Sequence, residues 1–343
     1  MIKIGLTRDF FDNDGKLITP GSGPRIFDDI PDVECEMFSE FLPEVTPAQI
    51  AGFDMVVNWT PRWTQSTLEG NDQLLSMHRF GVGCDKIDVP ALTRAGVLLC
   101  IASRSVRRPT ALAVITLLLA LSMRLQTKSK LIHEGRWGEG RKAYGTRLTG
   151  KVLGSIGVGN IGHDMFALAK PFNMKHIAYD PYITQEPVAD IDVELVDMAT
   201  LLTKSDFLNI SCTLNEKTRH LVGEKELRKM KETAFLINTA RGPIVDETVL
   251  IKALREGWIQ GAGLDVFEQE PLPISNPLLN MDNVIVTPHS LGHTDEFFVV
   301  AWEEIKEQVE QIISGERPHG VVNQEVWGEP EFQTKLNRFR RNQ

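Results

Sequence analysis

The chain has 343 residues, of which 42% are hydrophobic and 24% charged, a composition typical of a soluble globular protein with about two domains. Its formal net charge of -9 argues against nucleic acid or an anionic membrane as the main partner. The four cysteines are widely spaced and form no C-x-x-C pair, so neither disulfides nor a structural metal is predicted. The N-terminus lacks a signal-peptide pattern, and the longest apolar run, residues 111–121, is shorter than the ~20 residues of a membrane span. These features predict a cytoplasmic protein.

The first hundred residues alternate short apolar runs with helical segments. Strands are predicted at residues 3–7, 33–38, 55–59, 74–80 and 97–102. Thr46 and Pro47 mark the start of a short helix, because Thr is a favoured N-cap and Pro a favoured first helical residue. The alternation predicts an α/β layer built on a parallel sheet. A glycine turn, Gly81-Val82-Gly83, follows the fourth strand.

The sequence changes in character after residue 104. Pro109 is predicted to open a long helix that is apolar nearly all round, which favours burial between domains or subunits. The preceding segment, ASRSVRRP, is predicted as a basic loop that carries Arg104, Arg107 and Arg108. Residues 128–150 are polar and contain glycines, and they predict a linker or arm.

Residues 151–180 follow the order strand, glycine turn, helix, strand, acid, which is the order of a dinucleotide-binding unit. Three glycines after the first strand are spaced as G-x-G-x-x-G: Gly157, Gly159 and Gly162. The first permits a tight turn, the second lets backbone N–H groups approach a pyrophosphate, and the third allows close packing of the helix on the sheet. The helix N-terminus adds unpaired N–H groups and a positive dipole end.

Asp180 ends the second strand of this unit, roughly 20 residues beyond the glycines. Its carboxylate can accept hydrogen bonds from a ribose 2′-hydroxyl and would repel a 2′-phosphate. The sequence therefore predicts NAD as the cofactor, in preference to NADP.

After Asp180 the alternation of strands and helices resumes. Further strands are predicted at residues 207–211, 234–238, 261–266 and 284–286. Thr294 then opens a long amphipathic helix after the cofactor sheet is complete, and we predict that this helix returns to the first domain. The predicted fold is α/β, with two Rossmann-like or flavodoxin-like parallel-sheet domains. A cofactor domain of residues 105–292 is inserted in a substrate domain of residues 1–104 and 293–343.

Three polar residues follow successive strands of the second domain. They are Arg241, Glu270 and His289. In a parallel sheet the carboxyl ends of the strands face the ligand crevice, so these side chains are expected at the cofactor edge. A histidine can move a hydroxyl proton during hydride transfer, a carboxylate can orient and charge-stabilise that histidine, and an arginine can hold a carboxylate bidentately.

These residues lie in long motifs that resemble the D-isomer-specific 2-hydroxyacid dehydrogenases. The strongest match is residues 230–271, followed by NVIVTPH at 283–289, GSIGVGNIG and GVGCDKID. The resemblance implies an NAD-dependent oxidoreductase that acts on a small D-2-hydroxy acid or 2-keto acid. Arg241 would bind substrate carboxylate and carbonyl, His289 would be the acid/base, and Glu270 its partner. The family is usually dimeric, and the apolar helix would form much of the dimer core.

The resemblance also implies a set of binding residues. For the cofactor these are Gly157, Gly159, Asn160, Ile161, Gly162, Asp180, Thr213, Thr218, Thr239 and Asp265. Within this set, Asp265 would hold the nicotinamide carboxamide, and Thr213 lies in the loop that covers the cofactor. For the substrate they are Arg79, Val82, Gly83, Arg241 and His289, with the backbone N–H groups of the glycine turn on the substrate carboxylate.

The substrate itself stays open at this stage. Arg79, Arg62 and the three arginines of the basic loop could select a second anionic group, whereas Asn58 stands where phosphoglycerate dehydrogenases often have an arginine. A glyoxylate or hydroxypyruvate reductase is the alternative if these arginines are solvated surface residues that do not contact the substrate. An NAD(H)-sensing co-repressor built on the same fold is another, and a phosphite dehydrogenase has no positive sign in the sequence.

Overall fold

The structure, a computed structural model, describes residues 1–338. The chain divides into two compact units, Met1–Val106 with the described residues from His293 onward, and Arg107–Gly292. Residues 339–343, which the sequence analysis assigns to the first domain, lie outside the described residues. The predicted fold class is confirmed, because each unit is built on its own parallel sheet.

Unit 1 contains a five-stranded parallel sheet with the order β2-β1-β3-β4-β5. Its strands are β1 (Ile2–Leu6), β2 (Val33–Met37), β3 (Met55–Asn58), β4 (Ser76–Arg79) and β5 (Leu98–Ile101). The helices of its first part are α1 (Pro47–Ile50) and α2 (Val89–Arg94), and Thr46 caps α1 as predicted. Buried apolar side chains cover both faces of the sheet, as expected for a parallel sheet.

The chain leaves β5 in α3 (Ser103–Ser122), which begins six residues earlier than predicted. The segment predicted as a basic loop is thus the start of a helix, and Pro109 lies inside it. The reason is remote in sequence: the fully buried carboxylate of Glu304 accepts hydrogen bonds from the N–H groups of Ser103 (2.9 Å), Arg104 (2.9 Å) and Ser105 (3.3 Å). A carboxylate at this point satisfies the unpaired donors of the first turn and complements the helix dipole.

Among the described residues, α3 is the helix whose length and composition would allow it to cross a membrane. More than half of that stretch, 56%, is buried inside the protein, as in the core helix of a soluble protein. It packs on the second sheet where Gly263 leaves room. A Cβ on Gly263 would lie only 3.1 Å from the side chain of Leu117.

Unit 2 contains a seven-stranded parallel sheet with the order β12-β11-β10-β9-β6-β7-β8. Its strands are β6 (Val152–Ile156), β7 (Lys175–Tyr179), β8 (Val193–Leu195), β9 (Phe207–Ile210), β10 (Phe235–Asn238), β11 (Gly261–Leu264) and β12 (Val284–Val286). Its further helices are α4 (Leu125–His133), α5 (Trp137–Lys142), α6 (Asn160–Ala169), α7 (Met198–Lys204), α8 (Glu224–Leu227) and α9 (Glu247–Glu256). The strand β8 was not predicted, and residues 128–150, predicted as a linker or arm, contain most of α4 and all of α5.

The chain then returns to unit 1 through two helices. The first, α10 (Asp295–Ser314), is capped by Thr294 and buries Trp302, Ile305 and Val309 in the core of the first sheet. The second, α11 (Pro330–Leu336), packs in the same core through Phe332.

Candidate functional site

The glycine turn between β6 and α6 has the geometry of a phosphate cradle. Gly157 has a φ of +90°, and a Cβ there would lie 3.0 Å from backbone atoms of Ser211 and Cys212. A Cβ on Gly162 would lie 3.1 Å from the carbonyl oxygen of Gly157, so only glycine allows this close packing. A Cβ on Gly159, in contrast, would have no other atom within 4 Å. Gly159 is also the N-cap of α6. The exposed first turn of α6 therefore faces a space that an anion can enter.

Asp180 lies at the carboxyl end of β7, beside this turn. Its Oδ2 accepts a hydrogen bond from the N–H of Val158 at 3.0 Å, and its Oδ1 accepts one from the N–H of Tyr182 at 3.0 Å. The two bonds fix the carboxylate while leaving lone pairs for further donors. The turn and this acid together fit the pyrophosphate and adenosine ribose of a dinucleotide.

The loop after β9 is shaped by Thr218. Its hydroxyl donates to the carbonyl of Thr213 at 2.6 Å and accepts from the N–H of Asn215 at 2.8 Å. Thr239, the residue directly after β10, is 9% exposed. Thr213, Thr218 and Thr239 all follow carboxyl ends of strands in the cofactor sheet, and their contact with NAD stays a prediction.

His289 and Glu270 form a hydrogen-bonded pair. The imidazole Nδ1 donates to Glu270 Oε2 at 2.8 Å, and Glu270 Oε1 accepts from the N–H of Phe267 at 3.1 Å. Burial would raise the pKa of the Glu270 carboxyl, but the bond to His289, the imidazolium charge and nearby Arg241 outweigh it, so this pKa lies below its ordinary value. The carboxylate is therefore charged at neutral pH, and the other ring nitrogen, Nε2, is left for proton transfer.

Asp265 holds the loop that carries His289. This carboxylate is 5% exposed and accepts bonds from the Thr287 hydroxyl (2.6 Å) and from the N–H groups of Ser290 (3.1 Å) and Leu291 (3.2 Å). The loop needs such support because His289 has a φ of +53°, a conformation uncommon for residues other than glycine. The implied contact of Asp265 with the nicotinamide stays a prediction, whereas its role in the loop is visible.

Arg241 follows β10 and lies near the same pair. Its Nη1 donates to the carbonyl of Ala240 at 2.7 Å, and its charge contributes to the lowered pKa of Glu270. The structure thus brings Arg241, Glu270 and His289 to one edge of the sheet that also bears the glycine turn and Asp180.

In unit 1, the glycine turn predicted to bind the substrate carboxylate follows β4 directly. Val82 and Gly83 are partly exposed, and Gly81 has a φ of +122°. Arg79 lies beneath the turn, where its Nε donates to the carbonyl of Gly83 at 3.1 Å and its Nη1 donates to the carbonyl of Phe80.

Two of the three arginines at the start of α3 are engaged in ion pairs. Arg104 pairs with Glu307 and lies near Glu304, whereas Arg107 donates from two nitrogens to Asp164 on α6, at 2.9 and 2.7 Å. Arg108 and Arg62 are exposed. These pairs remove much of the support for a substrate role of the cluster, because each paired guanidinium already has a carboxylate partner.

An aromatic cluster that the sequence did not reveal lies at the carboxyl end of β3. The half-buried ring of Trp59 lies 5.4 Å from Phe10, 5.8 Å from Phe298 and 6.0 Å from His293, measured between centroids. Trp59 is the last residue of the predicted strand 55–59, and this position at a strand end was the available signal.

The family assignment rests on similarity over most of the chain. Residues 115–290 match the family model described as D-isomer specific 2-hydroxyacid dehydrogenase, NAD binding domain. The chain is similar to the D-3-phosphoglycerate dehydrogenase of Methanocaldococcus jannaschii, at 38% identity over 83% of this chain and 53% of that protein. It is also similar to the glyoxylate reductase of Korarchaeum cryptofilum, at 38% identity over 75% of this chain and 79% of that protein. The chain thus spans about half the length of the first relative and about four fifths of the second.

A solved structure of a glyoxylate reductase is also similar to this chain. The glyoxylate reductase from Paecilomyes thermophila superposes with a TM-score of 0.81 at 26% identity, covering 94% of this chain and 99% of that chain. The fold of both units is therefore shared with a member of the family. We conclude that the chain belongs to the D-isomer specific 2-hydroxyacid dehydrogenase family, with NAD as its cofactor and residues 115–290 as its NAD-binding domain.

Proposed function

We propose that this protein is an oxidoreductase that transfers a hydride between NAD and a small D-2-hydroxy acid or 2-keto acid. The observation that carries the proposal is the bond of 2.8 Å between His289 and Glu270, close to Arg241. These groups lie at the sheet edge that bears the dinucleotide cradle. An acid/base held by a charged carboxylate is what the alcohol–carbonyl interconversion needs.

Each residue has a distinct task in the proposed reaction. When bound, NAD supplies or accepts the hydride at C2 of the substrate. His289 Nε2 donates the proton to the carbonyl oxygen during reduction and removes it from the hydroxyl during oxidation. Glu270 keeps the ring oriented through the bond to Nδ1, and Arg241 holds the substrate carboxylate and carbonyl. The N–H groups of Val82 and Gly83 bind the carboxylate as well.

The activity is tested by a screen of NADH oxidation over 2-keto acids. Glyoxylate and hydroxypyruvate represent singly charged substrates, and phosphorylated, sulfonated or dicarboxylic 2-keto acids represent doubly charged ones. Because Arg104 and Arg107 are ion-paired, we propose the short singly charged acids as the preferred class. A higher kcat/KM for the doubly charged acids would overturn this preference. Tight NADH binding without turnover of any 2-keto acid would favour the co-repressor-like alternative.

Preference for NAD is expected to depend on Asp180. Asp180→Ala should lower kcat/KM with NAD about tenfold or more, because a charge-assisted hydrogen bond to the ribose is lost. The same change should raise kcat/KM with NADP, because the repulsion of the 2′-phosphate is relieved. Steady-state kinetics with both cofactors measure the ratio. Asp282→Ala, which removes a surface carboxylate paired with Lys130, is the control and should leave the ratio unchanged. A wild-type enzyme that uses NADP as well as NAD would contradict the assignment.

We also propose a homodimer formed through α3, α4 and α5. Large apolar side chains on or beside these helices are exposed: Leu112, Met123, Leu125, Ile132, Trp137 and Tyr144. Trp137 is 66% exposed and Tyr144 is 80% exposed, which is costly for a surface that stays in water. A second copy of the chain is the occupant that the family resemblance implies. Sedimentation equilibrium tests this, and a monomer at micromolar concentration would contradict it.

A cytoplasmic location is proposed as well. The four cysteines are free, and burial raises the pKa of the Cys35 thiol to about 12 and that of Cys212 to about 11, which keeps both unreactive. Unpaired thiols are typical of a reducing compartment. Cell fractionation followed by immunoblotting would test the location.

A further inference from the structure

The turn after β4 has its carbonyl groups directed into the protein. The guanidinium of Arg79 donates to the carbonyls of Gly83 and Phe80. The N–H of Ala102 donates to the carbonyls of Arg79 and Gly81, both at 3.1 Å. Four carbonyl oxygens of this short segment are therefore bound by the Arg79 guanidinium and the Ala102 N–H, which lie behind it.

The N–H groups of the turn have the opposite environment. Phe80 donates its N–H to the carbonyl of Asn58 at 2.8 Å. The next three N–H groups, of Gly81, Val82 and Gly83, have no protein acceptor within residues 1–338. Successive unpaired N–H groups in a turn form an anion-binding concavity. The φ of +122° at Gly81 allows the backbone to take this shape.

Arg79 also places a positive charge directly behind the concavity. A Cβ built on Gly81 would lie 3.5 Å from Arg79 Nη1, so the guanidinium lies against the turn. Arginine carries its charge at all physiological pH values, and its planar fork can bind two carbonyls at once. Lysine has a single nitrogen and would not reproduce this fork.

We propose that Arg79 is a positioning residue for the turn Gly81-Val82-Gly83, called the substrate turn below. Arg79 holds this turn by donating hydrogen bonds to backbone carbonyl groups. In this role it acts on the substrate carboxylate through the N–H groups of Val82 and Gly83, without selecting a second anionic group. The inference rests on the proposed function, since that function assigns the substrate carboxylate to these N–H groups. It changes the role that the sequence analysis gave to Arg79.

The test compares Arg79→Ala and Arg79→Lys with the wild type. We expect KM for glyoxylate to rise about tenfold to a hundredfold in Arg79→Ala, with less change in kcat, because substrate binding loses its preformed site. The same factor is expected for a phosphorylated or dicarboxylic 2-keto acid. Added guanidinium chloride should restore part of kcat/KM in Arg79→Ala, whereas Arg79→Lys should stay impaired.

A matched control is Arg94→Ala, which removes an exposed arginine of unit 1 that bonds Gln65. Its kinetics should match the wild type, with no response to guanidinium. A loss confined to doubly charged substrates, or unchanged KM values in Arg79→Ala, would overturn the positioning role. Thermal unfolding and the Kd for NADH show whether the variants are folded.

A second readout does not depend on catalysis. Hydrogen–deuterium exchange of the peptide that spans residues 76–86 should be faster in Arg79→Ala than in the wild type and in Arg94→Ala. Unchanged exchange would overturn the inference. If the wild type reduces no 2-keto acid, the proposed function fails, while faster exchange in Arg79→Ala would still support the positioning of the turn.

Discussion

Replacement of His289 by alanine is expected to lower kcat for reduction of a 2-keto acid by roughly 10³–10⁴-fold, near the upper end of what general acid/base catalysis contributes. The reason is that alanine has no titratable group to transfer the proton from the position of Nε2. The Kd for NADH should change less than about twofold. The ring of His289 bonds to Glu270 and makes no contact with the cofactor turn between β6 and α6. Stopped-flow measurement of NADH oxidation and a fluorescence titration with NADH give the two values.

Glu270→Gln is the matched control for this experiment. It keeps the size of the side chain and an oxygen that can accept from His289 Nδ1, but it removes the charge. Reduction should be slower in this variant than in the wild type, with a smaller loss of kcat than in His289→Ala, because the ring keeps its orienting partner but loses the neighbouring charge. Near-wild-type turnover in His289→Ala would refute the acid/base assignment.

Replacement of Arg241 by lysine is expected to lower kcat/KM for 2-keto acids by about a hundredfold. A charge-assisted hydrogen bond contributes about 1.5–3 kcal/mol, and lysine keeps the charge while losing the two-pronged geometry that matches a carboxylate. Steady-state kinetics with glyoxylate as the variable substrate measure the loss.

The Kd for NADH should stay within about twofold in Arg241→Lys, since the cofactor cradle lies at β6 and α6. Arg255→Ala, which removes an arginine in the last turn of α9, is the control and should behave like the wild type. A similar loss of NADH binding and of substrate turnover in Arg241→Lys would place this arginine on the cofactor and contradict the assignment.

Several side chains that the sequence marked as ligand contacts prove to have partners within the protein. The hydroxyl of Thr218 bonds to the backbone of the loop that contains it. Asp265 accepts from the backbone beside His289, and Arg79 donates to backbone carbonyls of the turn after β4. A motif shows that a polar group is present at a strand end, but it does not show how many of its hydrogen-bonding positions are already used. That number depends on which segments fold back to the same place.

The start of α3 illustrates the same limit for secondary structure. Proline is a common first residue of helices, so Pro109 was a reasonable predicted start. The helix instead begins at Ser103, because Glu304, about 200 residues further along the chain, satisfies the donors of its first turn. The same contact shows that Arg104 belongs to a helix start with acidic neighbours and not to a free basic loop.

The sequence by itself determined the α/β class, the NAD-binding unit and the positions of the three polar residues that we propose as reactive. These features depend on local spacing: three glycines in one turn, an acid at the next strand end, and polar residues directly after buried strands. Only the tertiary structure decided which groups bind the arginines: Arg79 donates to backbone carbonyls of its own turn, and Arg107 pairs with the carboxylate of Asp164. Such pairings join segments far apart in the chain, and their geometry follows from packing, which no local pattern encodes.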